Sequence, residues 1–184
     1  LLLNNILGTR FKIVTGYPGS REITLAMERG EIQGACGIGW TGIETMHPDW
    51  FSKDTIRVLV QLSNKGHEDL NKRGVPLAAE LARTEDDRKT IELVFSQGLF
   101  GRPYVMPPGV PADRTAALRK AFVVALNDKS LRAEAAKMQL DVDPLPGEEL
   151  QALVASLYAT PQHLIERARQ ALSPKTAAGP ATKP

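Results

Sequence analysis

The sequence is poor in the features that most directly announce a function. Its only cysteine, Cys36, lies in the apolar run Ile32-Gln33-Gly34-Ala35-Cys36-Gly37-Ile38. One cysteine forms no internal disulfide, so cysteine usage says nothing about the compartment. No His and Cys spacing suits zinc. Aromatic residues make up 5% of the chain, low for a surface that stacks bases or sugars on rings. An excess of one charge is also missing: 23 Lys and Arg stand against 21 Asp and Glu, spread along the chain. No concentrated positive field is available to neutralise a run of phosphates, and nucleic acid is not an expected partner. No apolar run approaches the roughly 18 residues that cross a bilayer. Leu1-Leu2-Leu3 is too short for a signal-peptide core. The sequence opens without an initiator Met or a targeting segment, and the expectation is that an upstream portion precedes it.

What is present is globular. The 184 residues make one ordinary domain, or one lobe and part of another. Short apolar runs, turn residues and amphipathic stretches follow one another in the order of βαβ units, which predicts an α/β chain with a largely parallel sheet. Phe11-Lys12-Ile13-Val14-Thr15 reads as a first strand. Arg21 to Arg29 reads as a helix, with Ser20 placed to cap it and Gly30 to close it. Ile32 to Ile38 is a second strand, and Gly39-Trp40-Thr41-Gly42 turns into a short helical segment that Pro48 ends. Ile56 to Leu62 is a third strand.

Ser63 to Pro76 reads as a long surface loop. Helical patterns resume at Leu77 to Ala82 and at Glu85 to Phe95, the latter with Thr84 as cap and acidic residues in its first turn. Gly101 to Met106 is an extended element whose Pro103 suits an edge or a crossing between lobes. Helices are expected from Ala112 or Asp113 to Leu126, near Leu131 to Met138, and from Glu148 to Leu172 with a break at Pro161. Val142 marks a last short strand. Residues 1–100 and 101–172 are the expected divisions, and 173–184 a loose tail that cannot bury enough apolar surface to order itself.

Two strand-to-helix junctions carry the chemistry. Gly16 to Arg21 and Gly39 to Gly42 would lie at the carboxyl ends of parallel strands, where ligands settle, and each would offer free backbone amides at a helix start. Such amides suit a carboxylate. Ser20 and Thr41 would add hydroxyl donors, Arg21 a charge, and Tyr17 and Trp40 a rim that excludes water. The plainer account is that the glycines only make turns, Ser20 only caps and Trp40 fills the core. Two such junctions in tandem favour a cleft.

Neither turn is a nucleotide loop. Tyr17-Pro18-Gly19-Ser20 lacks the Gly-Lys-Ser or Gly-Lys-Thr ending of a phosphate loop, and Gly37 to Gly42 has the glycine spacing of a dinucleotide turn without its βαβ setting. His47, His67 and His163 are scattered and read as solvated surface groups. Asp86-Asp87 and Glu148-Glu149 sit at helix starts, where they complement the dipole. No catalytic residue, cofactor or metal is expected. The rival class is a lyase or hydrolase of a carboxylate substrate, which needs a poised acid or base near Thr41.

The order Phe11 to Gly19, then Ala26-Met27-Glu28-Arg29-Gly30-Glu31-Ile32, then Gly101 to Pro111 with Leu118-Arg119-Lys120-Ala121-Phe122 beyond it, resembles the receptors of tripartite tricarboxylate transporters, the Bug-type extracytoplasmic solute-binding family. The resemblance runs from Phe11 to Leu172. It implies a periplasmic-binding-protein type II-like lobe, mainly parallel sheet flanked by helices, with the carboxyl-terminal helices packing on a first lobe outside this sequence. It also implies a periplasmic receptor that captures a small organic carboxylate and delivers it to membrane permease subunits. The positions that match the family's ligand-gripping turns are Gly19, Ser20 and Arg21, then Trp40 and Thr41, with Arg102 beside the crossing strand and Tyr17 at the rim. Many relatives have Asp where this chain has Gln33. A lobe without its partner also exposes apolar surface through which copies of the chain would associate.

Overall fold

The computed structural model describes residues 1–138 and 140–174. Among them the chain forms eight α-helices: α1 (Ser20–Glu28), α2 (Trp40–Met46), α3 (Glu68–Lys72), α4 (Glu85–Phe95), α5 (Ala112–Leu126), α6 (Lys129–Lys137), α7 (Gly147–Tyr158) and α8 (Gln162–Leu172). A π-helical turn spans Leu3–Leu7, and 3-10 turns span Ala78–Leu81 and Ser96–Leu99. No sheet is present among the described residues, and the α/β expectation of a mainly parallel sheet is overturned. One isolated parallel bridge, Gln61 to Leu77, is the entire β-pairing there. The physical reason is that a strand borrows its hydrogen bonds from another segment, and among the described residues the apolar runs 11–15, 32–38, 56–60 and 101–106 find no neighbouring strand, Ile32 alone reaching back to the Ala26 carbonyl of α1. The amide and carbonyl of Phe11 are met instead by the Asn4 side chain, at 3.0 and 2.8 Å. The short strand at Val142 is likewise absent. The expected tail falls largely on residues 175–184, outside the described residues.

Two compact units divide the chain. Among the described residues, one comprises 1–37, 58–99 and 160–174; the other comprises 38–57 and 100–159. In the first unit α4 supplies the central face. Thr84 caps it by accepting the Asp87 amide at 3.1 Å, and Glu85, Asp86 and Asp87 occupy the positive end of the helix dipole. Positions 87, 90 and 91 turn inward at helical spacing. Ile91 and Thr90 are fully buried. Ile91 packs with Leu2, Ala78, Ala79 and Ala171, and Leu3, Ile6, Leu7, Val60, Leu62 and Phe95 close around that cluster. On α8 the buried residues are Leu164, Ala168 and Ala171, and the two alanines let α4 approach closely. Asn5 donates from its amide to the carbonyls of Ala171 and Ser173, at 2.8 and 3.1 Å, so the two ends of the described chain are tied together.

Asp87 is the buried charge of this unit. Its carboxylate accepts from the Arg167 guanidinium and from the Thr84 hydroxyl at 2.8 Å. The Arg167 hydrogen bond lowers its pKa most, burial opposes that, and the Thr84 hydroxyl and the Arg167 charge lower it further. An acid whose pKa is depressed on folding stabilises the fold above its unfolded value, about 3.9 for Asp. That contribution is lost as pH falls through the folded pKa. The urea midpoint of the wild-type chain is therefore expected to fall more steeply below about pH 4 than that of Asp87→Asn. Parallel profiles would show that the pair adds nothing.

The segment read as a loop, 63–76, contains α3 and is organised by Gln61, which is 5% exposed. The Gln61 side-chain nitrogen donates to Asn71 Oδ1 at 2.9 Å and to the Val75 carbonyl at 2.8 Å. Its side-chain oxygen accepts the His67 amide at 2.8 Å. Its backbone amide donates to Pro76 and its carbonyl accepts from Ala78, at 2.8 and 2.9 Å. Gly66 sits close beside it, and a Cβ there would stand 2.3 Å from Asn71 Oδ1 and push that side chain off Gln61.

The second unit is held differently. Neither α5 nor α7 buries a residue. Arg119 on α5 reaches Glu148 Oε1 at 3.0 Å and Gln151 Oε1 at 2.9 Å on α7. Asp128 caps α6 by accepting the Ser130 and Leu131 amides. Tyr104 lies against Phe122 with ring centroids 5.0 Å apart. Trp50 and Ala135 are its buried apolar residues among those described.

Candidate functional site

The first junction belongs to the first unit. Gly16 has φ of 105°, a left-handed conformation open to glycine, and this turns the chain out of the run 11–15. Gly19 is the extended N-cap of α1, and no side chain caps that end. Ser20, expected as the cap, is instead the first helical residue. The glycine carbonyl accepts the Ile23 amide at 3.2 Å, leaving the amides of Ser20, Arg21 and Glu22 without an acceptor among the described residues. Thr24, buried, donates its hydroxyl to the Arg21 carbonyl at 3.0 Å and fixes the first turn from below. Ser20 and Arg21 are exposed, and Tyr17 is half-buried.

Glu22 is the residue that the sequence reading passed over. Its Oε2 lies 3.1 Å from where a Cβ on Gly19 would stand, so a carboxylate of the chain itself folds back over the start of α1. The signal was legible: an acidic residue three positions after the N-cap is the reciprocal position of a capping box. A carboxylate ligand at this turn would meet Glu22 as a competitor for the same amides.

The second junction belongs to the second unit. Gly39 is the extended N-cap of α2, again without a side-chain cap. Trp40 is half-buried, its ring centroid 4.4 Å from that of Phe51, and His47 stacks on Trp50 at 3.8 Å. Thr41 donates its hydroxyl to Asp141 Oδ2. That contact engages the donor expected for a ligand and puts a carboxylate beside it, which repels an anion. Asp141 lies 100 positions along the chain, and no local pattern could have pointed to it. Arg102 is exposed in the run before α5. Tyr17, Gly19, Ser20 and Arg21 thus fall in one unit, and Trp40, Thr41 and Arg102 in the other.

Of the histidines read as solvated, His67 accepts the Asp69 amide at 3.3 Å as the cap of α3. His163 lies 3.9 Å from Asp86. Among the described residues no group of three His, Cys, Asp or Glu side chains is placed to hold a metal, and no helix is long and apolar enough to cross a membrane. The chain matches no protein family, no characterised protein and no solved structure.

Proposed function

We propose that this chain is a binding module for a small organic carboxylate, working as an extracytoplasmic solute-binding protein of the tripartite tricarboxylate type and not as an enzyme. The resemblance from Phe11 to Leu172 motivates the class. The observation that carries the chemistry is the start of α1: a glycine N-cap, three amides with no acceptor among the described residues, and the exposed Ser20 and Arg21 on the same turn. Amides at a helix start and a guanidinium are complementary to a carboxylate in both charge and hydrogen bonding. The second turn contributes less than its sequence suggests, because Thr41 is engaged by Asp141. Delivery to permease subunits and a periplasmic location belong to the same reading.

Calorimetric titration with a dicarboxylate, a tricarboxylate and an aromatic acid tests it. Saturable heat with one class is expected, with affinity reduced about tenfold or more in Arg21→Ala, the order of a lost charge-assisted hydrogen bond. The Glu22→Gln variant is expected to bind the same acid more tightly, because the competing carboxylate is gone. Absence of heat with all three classes would sink the proposal.

A further inference from the structure

The outward side of α5 is apolar, although no described part of the chain covers it. Thr115, Arg119, Phe122, Val123 and Leu126 are half-buried and make up the inner side of the helix. Ala117, Leu118, Ala121, Val124 and Ala125 follow one another at positions i, i+1, i+4, i+7 and i+8, which places them together on the other side. All five are exposed, Leu118 at 55% and Val124 at 62%. A surface helix ordinarily turns charged and polar residues to that side. The apolar face runs on into the cleft between α5 and α6, where Val124, Ala125 and Leu131 are flanked by Asp128 and Glu134.

Charge marks the two ends of this face, and the two ends mirror each other about Ala121. Arg114 lies seven positions before Ala121 on the same side of the helix; it is exposed and has no partner among the described residues. Asp128 lies seven positions after Ala121. Its amide donates to the Ala125 carbonyl at 3.2 Å, so the winding of α5 carries on to it, and its side chain opens on the same cleft as Val124 and Ala125. Asp113 and Lys129, both exposed, stand one position further out at either end.

From this we infer that two copies of the chain pair through α5, helix against helix and antiparallel, about a two-fold axis at Ala121. The axis sets Leu118 of each copy against Val124 of the other and Ala117 against Ala125, and the alanines let the helix axes approach to about 8 Å. It also sets Arg114 against Asp128 and Asp113 against Lys129, each pair formed twice because the contact is isologous. This complementarity at both ends is what selects a second copy as the occupant. A parallel pair would set each of the four charges against its own like. The net charge of +2 leaves little general repulsion between copies. One helix face supplies less than the about 800 Å² per partner of a stable interface, so the pairing is concentration-dependent. It uses no residue of the proposed carboxylate-binding turns, and the two proposals fail separately.

Cysteine crosslinking in a Cys36→Ser background, in a glutathione redox buffer, tests the pairing. A residue on the axis meets its own counterpart within the span of a disulfide, whose Cα atoms lie less than about 7 Å apart. Ala116 is also exposed but lies roughly 140° round the helix from Ala121. Ala121→Cys is expected to give covalent dimer about tenfold faster than Ala116→Cys, in line with that geometry. Adding Arg114→Lys is expected to keep the advantage of position 121. Adding Arg114→Glu, at a side chain with no partner among the described residues, is expected to cancel it while circular dichroism shows the helices retained. Faster crosslinking with Arg114→Glu would mean a parallel pair and overturns the arrangement. Equal rates at positions 116 and 121, or no dimer from either at high protein concentration, overturn the inference and leave the face to a different partner.

Discussion

Replacing Gln61 with leucine is expected to lower the stability of the chain by about 3 kcal/mol, on the order of 1 kcal/mol for each of three polar groups that lose their bond to it. The three are the His67 amide, Asn71 Oδ1 and the Val75 carbonyl, all held by the Gln61 side chain. Leucine has comparable bulk, so the loss is chiefly one of hydrogen bonds. Gln61→Glu separates the contributions: its carboxylate still accepts the His67 amide, but both donors are gone and a charge is buried. Urea denaturation followed by far-ultraviolet circular dichroism measures both variants. A leucine variant within about 1 kcal/mol of wild type would show that water replaces the lost bonds.

Ile91→Ala is expected to cost about 3 kcal/mol, within the range for deleting a fully buried branched side chain and leaving a cavity among close-packed neighbours. Those neighbours, Leu2, Ala78, Ala79 and Ala171, come from three separate stretches of chain, so the cavity cannot collapse by moving one of them. The comparison is Leu118→Ala on α5, where the side chain is 55% exposed and a loss within about 0.5 kcal/mol is expected. The contrast reflects a difference between the units: the first has a closed apolar cluster, whereas the long helices of the second bury nothing. If the two substitutions cost the same, that description of the first unit is wrong.

Helices were far easier to read than strands, for a reason visible in particular residues. The Thr84 cap and the acidic turn behind it announced α4, Pro111 announced α5, and Pro161 announced the break between α7 and α8, each within a residue or two of the observed bound. A helix satisfies its backbone within four residues, so these signals are complete locally. Phe11-Lys12-Ile13-Val14-Thr15 has the composition of a strand, but composition records only fitness for a pleated surface. The partner must come from elsewhere, and here Asn4 takes part of its place. The loop composition of 63–76 hid α3 because what orders that segment is one glutamine outside it. The turn at Gly19 was legible as a helix start. The closeness of Glu22 was legible only by counting from the cap, and the bond from Thr41 to Asp141 was not legible at all.

The ties from Asn5 to the carbonyls of Ala171 and Ser173 also set an order of events. The first unit is assembled from three stretches of chain, and α8, in the third of them, is made only after residues 100–159. Its cluster around Ile91 lacks Ala171 until that helix arrives, so Leu2 and Ala78 wait, exposed, while residues 100–159 are synthesised. Contacts that span nearly the whole sequence fold slowly. During translation, Leu2 and Ala78 are therefore the residues of this cluster with the longest need for a chaperone.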